Sequence, residues 1–160
     1  PQDFKESVKW YRLSAEQGFT AAQFSLGWMY SKGQGVPQDY KEAVKWLRLS
    51  ADQGDVNAQY NLGVMYDQGQ GVPQDYKEAV RLYRLSAEQG DASAQYNLGV
   101  MYDQGLGVLQ DYATAHMWFN LCGSSGDEDC ARNRNVVEKK MSPSQVEKAQ
   151  EMARNWKPKE

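Results

Sequence analysis

No stretch of this 160-residue sequence approaches the roughly 18 apolar residues that cross a bilayer, and no charged, apolar and small-residue leader opens it. A membrane span is therefore not expected. Glycine (14 residues) and proline (5) are too few for a collagen-like or low-complexity chain, and an aromatic content of 12% exceeds that of a disordered one, so the chain should fold. Histidine occurs once, as His116, and cysteine twice, as Cys122 and Cys130, which is too little for a zinc site. The signatures of a serine-hydrolase elbow, a Ser-x-x-Lys nucleophile, a His-Glu-x-x-His metallopeptidase and a Walker phosphate loop are all missing. Gly-x-Gly pairs occur, but they follow no strand pattern and lack the third glycine of a dinucleotide site, so they read as turns. His116 lies beside Trp118 and Phe119 and reads as partial core. Neither catalysis nor a cofactor is expected.

Charge of one sign is also unevenly placed. Residues 131–160 hold eight Lys or Arg against four Asp or Glu, so that of the net −3, residues 1–130 carry −7. An acidic body repels phosphate backbones, and the basic residues of the tail alternate with Glu138, Glu147 and Glu151, so nucleic-acid binding is not expected.

What the sequence does have is an internal repeat. Pro37, Asp39, Tyr40, Gly54, Ala58, Leu62, Gly63, Met65, Tyr66, Gly69, Gly71 and Val72 all recur 36 positions later, and residues 37–72 differ from 73–108 at only seven positions. Such close identity implies recent duplication. The register runs back through Phe4, Gly18, Leu26 and Gly27 and forward through Asp111, Tyr112 and Gly126, with phases starting at 1, 37, 73 and 109. Because Pro1 falls in phase, the chain is expected to be a segment of a longer array.

Each unit reads as two helices. Asp39 and Glu42 have the spacing of a reciprocal N-terminal cap, and Asp75/Glu78 and Asp3/Glu6 repeat it. Tyr40, Ala43, Val44, Leu47, Ser50 and Ala51 then share one helical face. Gly54 suits a left-handed helix end, and Asp55 is placed to cap a second helix running to about Gln68. Glycine inside a helix costs about 1 kcal/mol relative to alanine, yet Gly27, Gly63 and Gly99 sit mid-helix in every unit, which predicts close helix approach. A two-helix unit cannot bury its apolar stripe alone, so the array needs closed ends. Asn135 and Glu138 replace the repeat's glycine and tyrosine, making the last second-helix polar, and Ser142-Pro143-Ser144-Gln145 starts a capping helix through Val146, Ala149, Met152, Ala153 and Trp156. Residues 1–130 thus form the array, and 131–160 its capping helices and basic tail.

The string Ala-Gln-Tyr-Asn-Leu-Gly-Val-Met-Tyr-Asp-Gln-Gly-Gln-Gly-Val at 58–72, with Asp75, Ala79 and Ala87-Glu-Gln-Gly90, resembles the Sel-one-like repeat family, a branch of the tetratricopeptide-like solenoids. The resemblance implies an all-α fold, a right-handed α-solenoid of 36-residue helix-turn-helix repeats, with the Leu-Gly-x-x-Tyr helix lining its inner surface. It also implies an adaptor that binds proteins or peptides, often in bacterial signalling, secretion or host contact. On that helix, the side opposite Ala58, Leu62, Met65 and Tyr66 carries Asn57, Tyr60, Asn61, Val64 and Asp67. Its equivalents are Phe24, Ser25 and Trp28 in the first unit, and Tyr96, Asn97, Val100 and Asp103 in the third. Asn61 and Asn97 carry the donor and acceptor that grip an extended peptide backbone, and Trp28, replacing valine, enlarges the contact area. Asp67 and Asp103 predict a neutral or basic ligand. Phe24, Tyr60 and Tyr96 can instead pack between stacked units.

Cys122 and Cys130 flank the turn at Gly126 where repeats otherwise carry small residues, and should face each other as either a disulfide or two buried thiols. Cysteine-rich members of the family bridge the two helices of a unit with a similar gap, placed differently about the turn. Competing with the adaptor reading are an architectural or self-associating spacer, an accessory domain of a larger enzyme, and an unrecognised hydrolase.

Overall fold

Asp39 accepts from the amides of Lys41 and Glu42, and Asp111 from those of Ala113 and Thr114, so the first-helix caps form as carboxylate N-caps. They are not reciprocal boxes. The Asp39 amide donates to the Tyr30 carbonyl at 3.0 Å and the Asp75 amide to Tyr66 at 3.0 Å, which leaves Glu42 to pair with Lys45 at 3.6 Å and Glu78 with Arg81 at 2.6 Å. Asp3 lies outside the described residues, which in this computed structural model are 4–124 and 126–159.

Among those residues the chain forms only helices, in two compact units. The first, through Asp75, holds α1 (Phe4–Glu16), α2 (Thr20–Lys32), α3 (Tyr40–Asp52) and α4 (Val56–Gln68). The second, from Tyr76, holds α5 (Tyr76–Glu88), α6 (Ala92–Gln104), α7 (Tyr112–Gly123), α8 (Glu128–Glu138) and α9 (Pro143–Asn155). The fold class is an all-α solenoid of helical hairpins. Helix α2 packs on both α1 and α3, and α6 on both α5 and α7, so within each unit α2 and α6 are shared between their own hairpin and the next.

That sharing explains the mid-helix glycines. A Cβ on Gly27 would lie 2.8 Å from Leu47 Cγ and 3.0 Å from the Leu47 backbone nitrogen, and one on Gly99 would lie 2.7 Å from the Phe119 ring. Close approach offsets the propensity cost. The turns use glycine for a second reason. Gly71 has φ +72°, and a Cβ there would lie 2.5 Å from the Tyr40 carbonyl carbon.

Three polar features that the helical pattern does not announce fasten each hairpin. Buried Gln23, Gln59 and Gln95 donate to the last-turn carbonyls of Ala15, Ala51 and Ala87 at 3.2, 3.4 and 3.2 Å. Arg12, Arg48 and Arg84 donate to the hydroxyls of Tyr30, Tyr66 and Tyr102. Gln38, Gln74 and Gln110 reach back to the end-of-helix carbonyls of Ser31, Asp67 and Asp103 at 2.8, 2.6 and 2.6 Å. The first-helix core is also broader than one stripe, since Trp46, Leu82 and Trp118 are buried on a second side.

In the last repeat this wiring changes. Asn120 and Glu138 take the register of arginine and tyrosine; Arg134 donates to Asn120 at 3.2 Å, and Glu138 meets the buried His116 at 3.2 Å. Helix α9 opens with a complete capping box, Ser142 with Gln145, and covers α7 with Trp156 edge-on to Trp118 at 6.3 Å. The tail is tied down where Lys159 pairs with Glu88 at 2.7 Å.

Candidate protein-interaction surface

The twelve residues expected on the binding face lie on α2, α4 and α6, the second helices, whose opposite sides bury Leu26, Leu62 and Leu98. Asn57 is exposed; the other eleven are half-buried. Two clefts in the first unit bring some of them together. Phe24, Ser25 and Trp28 of α2 join Phe4, Ser7 and Tyr11 of α1 around a cavity of about 200 Å³. Asn61, Val64 and Gln68 of α4 join Ser31 and Lys32 of α2 and Gln38 around a more polar one of about 330 Å³.

Asn61 is not wholly available to a ligand. Its Nδ2 donates one of its two hydrogens to the Asn57 carbonyl of its own helix at 2.8 Å, which leaves one N–H and the Oδ1 acceptor for a ligand. The amide of Gln70 enriches the same cleft beside Gln68 and was missed from sequence, because it lies beyond the end of α4, where helical periodicity no longer places a residue on a face.

In the second unit the equivalent face is occupied by the chain itself. Tyr96 stands edge-on to Phe119 at 5.8 Å and its hydroxyl accepts from Asn133 at 3.0 Å. Val100 packs on the cluster of Ala115, Phe119, Val137 and the two cysteines. Asp103 pairs with Lys140 at 2.8 Å, and that contact holds the lysine's pKa above its ordinary value; the same ammonium lies 5.2 Å from the Tyr112 ring. Tyr96 and Val100 are therefore packing residues between neighbouring hairpins. Cys122 and Cys130 form a disulfide with Cα atoms 5.9 Å apart, buried in this cluster and joining α7 to α8.

Among the described residues no helix is long and apolar enough to cross a membrane, and no group of acidic, histidine or cysteine side chains could hold a metal ion. Stacked hairpins with amide-lined clefts define a helical-repeat scaffold. The Sel1 repeat family model matches residues 1–19, 20–55, 56–91 and 92–127, and the chain belongs to that family. The last three matched segments begin at the second helix of a hairpin. Sel1 repeats are generally noncatalytic scaffolds and commonly mediate protein interactions.

Two solved structures are similar. One is a Sel1 repeat protein from Oxalobacter formigenes, 40% identical with TM-score 0.75, covering 79% of this chain and 52% of its own. The other is c5321, a protective antigen present in uropathogenic Escherichia coli strains displaying an SLR fold, 32% identical with TM-score 0.72, covering 93% of this chain and 40% of its own. This chain thus spans about half or less of each. No curated protein matches it.

Proposed function

We propose that this chain is a noncatalytic scaffold that binds a protein or peptide segment along its second helices. The observation that carries this reading is the cleft between α2 and α4, where Asn61 and Val64 meet Gln38, Gln68 and Gln70. Side-chain amides spaced along a groove suit the alternating carbonyls and amides of an extended backbone, and the apolar floor of Val64, Leu47 and Met65 takes a side chain. Asp103 is already paired with Lys140, and Lys32 stands in the α2–α4 cleft, so a basic ligand segment is not favoured there.

Selection of displayed peptides on the full chain supplies a ligand. Asn61→Ala with Gln68→Ala should weaken it about 10-fold or more while leaving the helical signal intact, whereas Asn97→Ala alone should change little. Unchanged affinity in the double variant would remove the α2–α4 cleft as the site.

A further inference from the structure

The second unit contains an ion pair whose register in the first unit is only half filled. Lys140, just beyond α8, reaches the end of α6: its ammonium donates to the Asp103 carboxylate at 2.8 Å and lies 5.2 Å from the centre of the Tyr112 ring. Gln110 holds the same helix end by donating to the Asp103 carbonyl at 2.6 Å. A cation and a carboxylate therefore meet beside a tyrosine, and the chain supplies both.

Two repeat periods earlier the frame is kept and the pair is not. Gln38 and Tyr40 hold the places of Gln110 and Tyr112, and Gln38 again donates to the helix end, here the Ser31 carbonyl at 2.8 Å. Ser31 stands where Asp103 does, and Gln68 where Lys140 does, so both charges are gone. A cation returns one residue along, as Lys32 in the register of Gln104. These residues line the α2–α4 cleft of about 330 Å³. No described Asp or Glu lines it with them, and among the described residues no carboxylate pairs with Lys32. The hydroxyl oxygen of Tyr40 accepts from Gln38 at 3.0 Å, which leaves its hydrogen to donate into the cleft, and Asn61 keeps one N–H.

We propose that the α2–α4 cleft recognises an extended segment of a partner protein by an acidic side chain, aspartate or glutamate, two positions from an aliphatic one. The ligand's carboxylate supplies the missing half of the ion pair, accepting from the Lys32 ammonium and the Tyr40 hydroxyl. Residues two apart on an extended chain face the same way, so the aliphatic side chain reaches the floor of Leu47, Val64 and Met65. A basic side chain there would meet Lys32 with no carboxylate to share it. The expected preference for neutral or basic ligands rested on Asp67 and Asp103, and neither lines this cleft. Because Lys32 is exposed, the pair adds modestly to affinity and acts chiefly on which segments are chosen. This rests on the cleft reading and adds to it the charge of the segment taken.

The test probes a positional-scanning array of short peptides, acetylated and amidated so that none has a terminal carboxylate, with the full chain. Bound peptides should be enriched in Asp or Glu two positions from Leu, Ile or Val. For the best of them, fluorescence anisotropy should show that replacing the peptide's acid by its amide weakens binding about 5-fold, that Lys32→Gln does the same, and that the two losses do not add. Lys32→Glu should weaken it about 10-fold or more and be rescued by a peptide with lysine at the acidic position. Added salt should weaken the wild-type complex more than that of Lys32→Gln. Circular dichroism should show both variants folded; were Lys32→Glu to unfold, the coupling measured with Lys32→Gln still decides. Selection of acid-free peptides, indifference to Lys32, or a requirement for a free C-terminal carboxylate would overturn the proposal. If those same peptides lose affinity with Asn61→Ala and Gln68→Ala together, the cleft reading stands without it. If they do not, or if the array binds nothing, both fall.

Discussion

Alanine at Gly71 should be far more damaging than alanine at Gly54, although both glycines have positive φ and both sit in turns. Gly54 has φ +92° with no atom within 4 Å of a built Cβ. Its alanine variant therefore suffers only the left-handed backbone, about 1–2 kcal/mol, partly offset by roughly 0.4–1 kcal/mol from a less flexible unfolded chain. Gly71 has φ +72°, and its Cβ would lie 2.5 Å from the Tyr40 carbonyl carbon and 2.9 Å from Tyr40 Cβ. Those atoms belong to the first turn of α3, where the amide-to-carbonyl ladder starts, so relief requires the turn to move away from the helix. With overpacking of about 1–3 kcal/mol added to the backbone cost, Gly71→Ala should lose about 3 kcal/mol or more. For a chain of this size that is a fall of roughly 6–12 °C in thermal midpoint, against about 2–4 °C or less for Gly54→Ala. Thermal unfolding followed at 222 nm on both variants checks it. A Gly71→Ala protein as stable as Gly54→Ala would refute the claim that backbone contact, and not φ alone, requires glycine there.

Gly27→Ala should destabilise by about 1–3 kcal/mol despite alanine's better helix propensity, because the Leu47 backbone leaves its Cβ no room; chemical denaturation measures the loss. Replacing Cys122 and Cys130 by serine should cost about 2–3 kcal/mol from the short loop the disulfide closes, with the loss appearing first as faster hydrogen exchange in α8. Partial burial acts to raise the Asp111 pKa, but the Thr114 hydroxyl and the amides of Thr114 and Ala113 more than offset it, and the folded value lies below 3.8. Its contribution is therefore complete above the unfolded-state pKa and lost as pH falls through the lower folded value. Asp111→Asn should flatten the stability slope below about pH 4, read by unfolding at a series of acid pH values.

The tandem period, the helix boundaries and the aspartate caps were readable from sequence because each depends on contacts within a few residues of chain. The turn glycines belong here too, since φ is a local property. The reciprocal cap at Asp39 and Glu42 was expected and did not form, because the Tyr30 carbonyl, nine residues upstream, claims the amide first. Periodicity put Tyr60, Tyr96, Val64 and Val100 on one face of their helices, but whether such a face meets solvent or another hairpin depends on what stacks against it. Tyr96 and Val100 are covered by α7 and α8, while Asn61 and Val64 open onto a cleft, and no property of the four residues distinguishes these outcomes.

The cysteines make the same division. Their spacing placed them across a helix turn, yet oxidation required α7 and α8 to hold the two Cα atoms 5.9 Å apart inside an apolar cluster. Local chemistry in this chain decided where each helix begins, ends and turns. Tertiary packing decided which of its equivalent surfaces remain open, because burial is a property of the neighbour and repeats with nearly the same sequence have different neighbours.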